Sequence, residues 1–269
     1  MKDRIVFAAL LAAMTGLAAP TPENGITAHR GDSIRHPQNS LEAFASAIEI
    51  GADWIETDVH LTRDGVLVIS HNATTKEYCS RDLRISEHTY AELCELDMAE
   101  TFRAHRKLTL EQRPKLRIAR LDEALDLILK AKKARLSIQP KCDCVDQAIA
   151  LVRQKGAVEW VGFNDGNLRL MSRVKELEPS IPVFWDRYDN FEIDKDIPIA
   201  KARGFKTIVL YWKTATPENV KRLHDAGFKV GVWTVNRPKD LASFLDMGID
   251  RIYTDAPQTL KDIKAARRR

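Results

Sequence analysis

The sequence lacks the features of several protein classes. Its 269 residues include only four cysteines, 12 glycines and 11 prolines, with no low-complexity segment and no repeat of fixed period. Charged residues make up 30% of the chain and are mixed in sign, for a net charge of +4. These values exclude a collagen, a coiled coil, a disordered chain and a polytopic membrane protein. Because the positive charge is dispersed, we expect no nucleic-acid partner.

Long hydrophobic runs are scarce as well. One apolar run, Ile5–Ala19, follows Lys2 and Arg4 and ends in small residues and a proline. This order is typical of an export signal, and the run is too short to cross a bilayer comfortably. We therefore expect a signal peptide at residues 1–19, a periplasmic or extracellular protein and no stable membrane insertion. The alternative is a buried first helix in a cytoplasmic protein. Residues 24–269 have the length of one barrel domain.

The few cysteines do not form a recognisable framework. Cys79 and Cys94 lie in one irregular region and are a possible disulfide pair. The Cys142-x-Cys144 pair could bind a metal, but no second Cys-x-x-Cys or His-x-x-x-His pair accompanies it. We therefore expect free or structural thiols at all four positions.

Short β-rich runs alternate with amphipathic helical stretches along most of the chain. Alternating strands and helices pair in parallel through right-handed crossovers, and eight such strands close a barrel. An open, doubly wound sheet is the competing architecture, but no Gly-x-Gly-x-x-Gly follows the first strand. The sequence therefore predicts an α/β fold, a (β/α)8 TIM barrel. Its eight strands are predicted at Ile26–Ala28, Trp54–Asp58, Leu136–Gln139, Glu159–Phe163, Pro182–Trp185, Thr207–Tyr211, Val230–Val235 and Arg251–Thr254.

A hairpin interrupts this alternation after the second strand. The run Val66–Ser70 alternates like a strand, and an Asp-Gly pair precedes it, which is typical of a two-residue hairpin loop. That loop would place Asp58 opposite His71, and a bulge would shift the pairing by one residue. The following residues, about 73–117, are mostly irregular, with one plausible helix at Glu87–Leu96. We expect a small inserted subdomain over the catalytic end of the barrel.

Two acidic residues mark the second strand. Glu56 and Asp58 are two positions apart, so both side chains point to one face, into the barrel mouth. Paired carboxylates repel each other unless a proton or a cation lies between them. Oxygen ligands of this kind suit Mg²⁺, Mn²⁺ or Ca²⁺. The alternative is a solvated pair, although Ile55 and Val59 indicate a packed strand.

Histidines and cationic residues occur at the same predicted strand ends. His29 and His71 could act as an acid–base couple across the mouth, because histidine exchanges protons near neutral pH. Arg30 and Lys141 add fixed positive charge that suits an anionic substrate, phosphate above all. Trp233 could pack on an organic group, or simply fill the barrel.

Six segments together resemble the glycerophosphodiester phosphodiesterase family. The similarity covers most of the chain after residue 25, and the combination is specific, whereas His-Arg-Gly alone would not be. The segments are His29–Gly31, Pro37–Phe44, Gly51–Val59, Thr62–His71, Val232–Asn236 and Gly248–Pro257.

The resemblance implies a (β/α)8 barrel with a small insertion and one divalent cation. It implies that the protein hydrolyses small-molecule glycerophosphodiesters to an alcohol and glycerol 3-phosphate. By position, the acid–base pair would be His29 and His71, and the metal ligands would include Glu56 and Asp58. The phosphate-contacting cations would be Arg30 and Lys141, and the substrate-facing aromatic residue would be Trp233.

Three positions depart from the family pattern, and each lacks a carboxylate. The third metal ligand is usually acidic but is Gln139 here, whose amide oxygen can still bind a hard cation. The residue after the second histidine is Asn72 rather than Asp, and Gln38 replaces a usual Glu. We therefore expect a less negative mouth than is typical.

These departures leave two alternatives open. The first is a pseudoenzyme that binds phosphodiesters without turnover. The second is a lipid-active relative similar to lysophospholipase D, which would expose apolar residues near Tyr78, Tyr90 and Phe102. The head-group alcohol, the nucleophile (water or the neighbouring glycerol hydroxyl) and the oligomeric state are not determined by the sequence.

Overall fold

The computed structural model describes residues 23–267, and its strands form a closed barrel. Eight parallel strands are hydrogen-bonded in sequence, and pairing of the first strand with both the second and the last completes the circle. This confirms the predicted TIM barrel, whereas the predicted signal peptide lies outside the described residues. The strands are β1 (Ile26–Ala28), β2 (Trp54–Leu61), β3 (Leu67–Ile69), β4 (Arg135–Pro140), β5 (Val161–Asp165), β6 (Val183–Arg187), β7 (Thr207–Tyr211), β8 (Lys229–Trp233) and β9 (Arg251–Thr254), of which β3 is the antiparallel arm of the hairpin.

Helices follow most strands, and local signals set several of their ends. Ser40 caps the first helix by accepting a hydrogen bond from the Ala43 amide, and Gly51 ends it in the left-handed conformation. In residues 23–267, no helix combines the length and the apolar character that a membrane span requires. The helices are α1 (Leu41–Ile50), α2 (Tyr90–Cys94), α3 (Glu100–Arg106), α4 (Leu121–Ala131), α5 (Val145–Gln154), α6 (Leu168–Leu177), α7 (Ile193–Ala202), α8 (Pro217–Asp225), α9 (Pro238–Asp246) and α10 (Pro257–Ala266).

The hairpin register differs from the predicted one by one residue. The Ser70 amide donates to the Asp58 carbonyl at 3.0 Å, so Asp58 lies level with Ser70 rather than His71. The physical reason is the loop, which has three residues between Thr62 and Val66 and not two. Gly65 has φ +80°, the left-handed conformation that closes such a loop with a bulge. His71 therefore follows the strand directly at the barrel mouth.

The residues after the hairpin form a small structure with a core of its own. Val68, Tyr78, Ile85, Leu93 and Ile118 belong to one buried cluster, separate from the barrel core. The predicted helix Glu87–Leu96 is shorter than expected, since α2 covers only Tyr90–Cys94, and α3 adds a second helix. All four cysteines are free thiols, including the possible pair Cys79 and Cys94.

Gly31 holds the first catalytic-end loop against α1. It has φ +85°, and a methyl group there would lie 2.7 Å from the backbone and Cβ of Ala43. We expect Gly31→Ala to lower the free energy of unfolding by about 2–4 kcal/mol, because left-handed strain and overpacking add. Urea denaturation measures this effect. Gly65→Ala is the matched control, with φ +80° but nothing within 4 Å, and should cost only about 1 kcal/mol. Equal losses would contradict the packing argument.

Candidate active site

A cavity of about 190 Å³ opens at the carboxyl ends of the strands. Seven of the eight predicted site residues line it, and the eighth, Asp58, is fully buried and ion-paired with two of them. The structure therefore brings the predicted residues together from five different strands or their ends. The lining residues are His29, Arg30, Glu56, His71, Gln139, Lys141, Asn164, Asp186, Tyr188, Trp233, Thr234 and Tyr253.

Asp58 is a buried carboxylate surrounded by donors. Its Oδ1 lies 3.1 Å from Lys141 Nζ, and its Oδ2 lies 3.3 Å from Arg30 Nε. Asn39 Nδ2 donates to Oδ2 at 2.9 Å. Burial alone would raise the pKa of Asp58, but Lys141 and Arg30 outweigh burial and hold the pKa below its ordinary value. Asp58 therefore remains ionised at neutral pH.

Glu56 has a different environment on the same face of β2. It is 1% exposed, and the Arg30 backbone amide donates to its Oε2 at 3.1 Å. Burial, followed by the charge of Asp58, raises the pKa of Glu56 to about 7. Within residues 23–267, Glu56 forms no ion pair with lysine or arginine. A proton or a bound cation would therefore be stabilised beside it.

His29 is oriented by an aspartate that was not assigned a role from the sequence. Its Nδ1 lies 2.7 Å from Asp255 Oδ1, and its Nε2 lies 3.9 Å from Glu56 Oε2. Asn236 and Ser33 donate to Asp255 at 2.5 and 3.2 Å and fix that carboxylate. Burial lowers the pKa of His29, but the Asp255 hydrogen bond and the Glu56 charge raise it above its ordinary value. The only sequence signal for Asp255 is its place directly after β9.

His71 lies in a more open position in the same cavity. Its Nδ1 is 3.0 Å from Asn72 Oδ1 and 3.8 Å from Glu77 Oε2. Its backbone amide donates to the Tyr78 hydroxyl at 2.9 Å, which anchors the residue to the insertion. Burial lowers the pKa of His71, and the opposing charge of Asp58 does not compensate. The two histidines therefore have opposite pKa shifts.

Gln38 replaces a glutamate that is usual in the family, and the insertion places the carboxylate of Glu77 beside it. Arg30 Nη1 donates to Gln38 Oε1 at 2.5 Å, and Gln38 Nε2 donates to Glu77 Oε1 at 2.7 Å. The amide thus bridges a cation and an anion, whereas a glutamate at position 38 would face Glu77 with like charge. Glu77 was missed from the sequence because it lies in the irregular region.

Both the oxygen and the nitrogen of the Gln139 side-chain amide form hydrogen bonds. Its Oε1 accepts from Lys141 Nζ at 2.7 Å, and its Nε2 donates to Asp165 and Asp186 at 3.2 and 3.4 Å. Asp186 is 5% exposed, and burial raises its pKa well above the ordinary value. Neither aspartate was predicted as a site residue. They place two further carboxyl groups beside Gln139, where burial favours the protonated form of both.

The donor set at the mouth fits a hard divalent cation in its chemistry. Glu56 and Asp58 provide two carboxylates, and the buried Oδ1 of Asp58 is ion-paired with Lys141 but accepts no hydrogen bond in residues 23–267. The described residues contain no group of three or more His, Cys, Asp or Glu side chains placed to hold a metal ion. The third candidate donor is the Gln139 amide oxygen, which currently accepts from Lys141. A cation would thus be held by two carboxylates, with Gln139 as an optional ligand.

An aromatic wall faces the charged side of the cavity. The Trp233 ring lies 5.0 Å from the ring of Tyr188 and 5.4 Å from the ring of Tyr211, between centroids. Tyr188 is 42% exposed, so the wall reaches solvent. The wall can pack against the organic part of a bound molecule.

The insertion exposes part of the apolar surface that was expected for a lipid-active relative. Tyr78 is only 4% exposed, because its hydroxyl contacts the His71 backbone inside the insertion. Phe102 is partly covered by the guanidinium groups of Arg106 and Arg113. Of the residues near which exposed apolar surface was expected, Tyr78 is therefore buried and Tyr90 and Phe102 are partly exposed, while Leu110 of the insertion is 55% exposed.

Paired imidazoles, paired carboxylates and two cationic side chains at the mouth of a TIM barrel are groups suited to the hydrolysis of a phosphoric diester. The chain belongs to the glycerophosphoryl diester phosphodiesterase family, whose sequence pattern matches residues 29–259. This confirms the resemblance that the motifs indicate.

Individual relatives agree with this assignment. The chain is 28% identical over 240 residues to a glycerophosphodiester phosphodiesterase of Caldanaerobacter subterraneus, covering 87% of this chain and 95% of the relative. A solved glycerophosphodiester phosphodiesterase of Parabacteroides distasonis superposes with a TM-score of 0.75 at 25% identity, covering 93% of this chain and 100% of that one. The fold is shared with a phosphodiesterase of Oleispira antarctica, solved in complex with the product sn-glycerol-3-phosphate, at a TM-score of 0.78 and 23% identity, covering 91% of this chain and 97% of that one.

Proposed function

We propose that the protein hydrolyses glycerophosphodiesters to glycerol 3-phosphate and an alcohol, with His29 and His71 as the acid–base pair and one divalent cation, Mg²⁺, Ca²⁺ or Mn²⁺. The observation that carries the proposal is the meeting of both imidazoles with Glu56 and two cationic side chains in one cavity. The activity in the names of the relatives supports the substrate class. The glycerol 3-phosphate in the complex of the Oleispira antarctica phosphodiesterase is the product that the proposal assigns.

In the proposed mechanism, several side chains at the mouth bind different parts of the substrate. Arg30 and Lys141 face the cavity and neutralise the charge that develops on the phosphate oxygens in the transition state. A cation held by Glu56 and Asp58 would add Lewis-acid stabilisation of a non-bridging oxygen. Trp233 orients the organic group, so that the phosphorus lies between the two histidines.

The two histidines then move the protons. One accepts a proton from the nucleophile, which is water or the neighbouring glycerol hydroxyl, and the other donates a proton to the departing alkoxide. Asp255 holds the His29 ring, with Nδ1 engaged and Nε2 facing Glu56. Asn72 holds Nδ1 of His71 in the same way. Each ring thus presents its Nε2 for proton transfer.

Turnover of glycerophosphocholine tests the proposal. The protein, freed of metal with a chelator, should release glycerol 3-phosphate and choline only after Mg²⁺, Ca²⁺ or Mn²⁺ is restored. Calorimetry with glycerol 3-phosphate distinguishes a pseudoenzyme, which would bind without turnover under any of these cations. A higher rate on micellar lysophosphatidylcholine than on the soluble diester would instead support a lipid-active enzyme.

Replacing Gln139 by glutamate separates its role as a hydrogen-bond donor from its proposed role as a metal ligand. Gln139→Glu would remove the amide that donates to Asp165 and Asp186 and add a third carboxylate beside them. We expect the metal-free variant to lose about 1–3 kcal/mol of unfolding free energy, because Asp165 and Asp186 lose the amide donor that they share. We expect Mn²⁺ to bind about tenfold more tightly, since ligand charge increases. Thermal melts and a Mn²⁺ titration measure both, and an unchanged titration would contradict Gln139 as a ligand.

We also propose that the protein is exported, on the strength of the apolar run at residues 5–19. Expression of the full chain in a bacterium, followed by fractionation and N-terminal sequencing, tests this. The exported protein should begin close to residue 20. An intact N-terminus found only in the cytoplasm would contradict export.

A further inference from the structure

Two cysteines lie beside the active site but take no part in the proposed reaction. Cys142 directly follows Lys141 after β4, and Cys144 immediately precedes α5. Cys142 is half-buried and reaches solvent, whereas Cys144 is 0% exposed. The Cys144 amide donates to the Cys142 carbonyl at 2.9 Å, so the two residues share one tight turn.

The Cys142 side chain has polar neighbours in its own turn and on β2. The Cys142 side chain is hydrogen-bonded to the Cys144 thiol, to the His60 side chain and to the Leu61 backbone. The Cys144 hydrogen bond, followed by that of His60, outweighs burial and lowers the pKa of Cys142 to about 5. The same contact and burial raise the pKa of Cys144. A partly exposed cysteine with a lowered pKa therefore shares one tight turn with a buried thiol, as in reactive dithiols.

The same turn is joined to two proposed catalytic groups. The Val59 carbonyl accepts the Lys141 amide at 2.9 Å and also lies 4.0 Å from Cys144 Sγ. His60 Nε2 lies 3.4 Å from the His71 carbonyl oxygen. A change in the positions of the two sulfurs thus reaches the Lys141 backbone through Val59 and the His71 backbone through His60.

We propose that Cys142 and Cys144 are a redox-active dithiol, which low-molecular-weight disulfides convert reversibly into an intramolecular disulfide that displaces Lys141 and lowers activity. The Cys142 thiolate attacks one sulfur of the oxidant, which forms a mixed disulfide and releases one thiolate. Cys144 then loses its proton to solvent and attacks Cys142 Sγ, which forms the internal disulfide and releases the second thiolate. In total, two protein thiols are oxidised and one disulfide is reduced to two thiols.

The expected loss of activity follows from the place of Lys141. Its ammonium lies 3.1 Å from Asp58 Oδ1 and 2.7 Å from Gln139 Oε1, so it depends on a fixed backbone. Drawing Cys144 Sγ onto Cys142 removes its contact with Val59 and tightens the turn that carries Lys141. A shift of about 1 Å in a group that positions the substrate can cost about 10²-fold in rate. The effect on activity rests on the proposed function, whereas the thiol chemistry does not.

The chemistry is tested on the full chain with glutathione disulfide and mass spectrometry. The wild type should lose two hydrogens and yield a peptide that links Cys142 to Cys144. Cys144→Ser lacks the resolving thiol and should accumulate about tenfold more glutathione adduct at Cys142, because the internal step is fast. Cys142→Ser should form neither product, and Cys94→Ser, which changes the other partly exposed thiol, should behave as the wild type. Preferential reaction at Cys94, or no linked peptide, would overturn the proposal.

Activity is then followed on the same samples with glycerophosphocholine. The turnover of the oxidised wild type should be at least about tenfold lower and should recover with dithiothreitol, as expected for a displaced positioning group. Cys142→Ser should keep its turnover under oxidant. If the linked peptide forms while turnover is unchanged, the regulatory part is wrong. If the reduced wild type shows no turnover, the proposed function fails. The mass measurements still show whether Cys142 and Cys144 form a disulfide.

Discussion

Replacing His29 or His71 by alanine should lower kcat/KM for glycerophosphocholine by about 10²–10⁴-fold, the range expected for loss of a general acid or base. Both rings line the cavity, and each has its Nδ1 engaged by a neighbouring side chain. Binding of glycerol 3-phosphate should change far less, because Arg30 and Lys141 remain. Steady-state kinetics together with calorimetry separate the two effects.

Two controls make this result interpretable. His105→Ala removes an exposed histidine in α3 that does not line the cavity, and should leave the rate unchanged. Thermal melts of all variants show whether a loss of rate reflects unfolding. Activity close to the wild type in either variant, His29→Ala or His71→Ala, would remove that residue from the mechanism.

Neutralising the two carboxylates should have the second-largest effect, and the two variants should differ in stability. We expect Glu56→Gln and Asp58→Asn each to lower kcat/KM by about 10²–10³-fold, because charge stabilisation at the phosphate is lost. Mn²⁺ affinity without substrate should fall at least about tenfold in both. Calorimetric Mn²⁺ titration measures this independently of activity.

Stability then separates the two carboxylates. Asp58→Asn breaks buried pairs with Arg30 and Lys141 and should cost about 3 kcal/mol of unfolding free energy. Glu56→Gln removes a buried charge that has no lysine or arginine partner in residues 23–267, so it should leave the metal-free protein at least as stable. Asp126→Asn, at an exposed carboxylate in α4, is the matched control. Unchanged Mn²⁺ binding in both variants would contradict the proposed ligands.

Local patterns were enough to predict the barrel. The predicted strands Ile26–Ala28, Thr207–Tyr211 and Arg251–Thr254 have the observed bounds, because buried β-rich runs lie between clear turn and cap signals. Pro198 lies inside helix α7 and interrupts the helical pattern there, so the bounds of that helix could not be predicted. The hairpin register was missed by one residue, because an Asp-Gly pair is compatible with loops of two or three residues.

The site was predictable where residues follow strands and not where they meet across the fold. Glu56 and Asp58 share a face because of strand geometry, which the sequence shows directly. Asp255 contacts His29 although the two are 226 positions apart, and Glu77, which lies near His71, comes from an irregular segment. No local pattern predicts either contact. Asp186 likewise contacts Gln139 only because β4 and β6 curve around one mouth.

The most direct test of the account is the anomalous diffraction of crystals soaked with Mn²⁺ and glycerol 3-phosphate. The account predicts one manganese ion bonded to carboxylate oxygens of Glu56 and Asp58, at about 2–2.5 Å. It also predicts a phosphate in contact with Arg30 and Lys141, with His29 and His71 on either side. A manganese ion bound elsewhere, or a phosphate remote from both imidazoles, would contradict it.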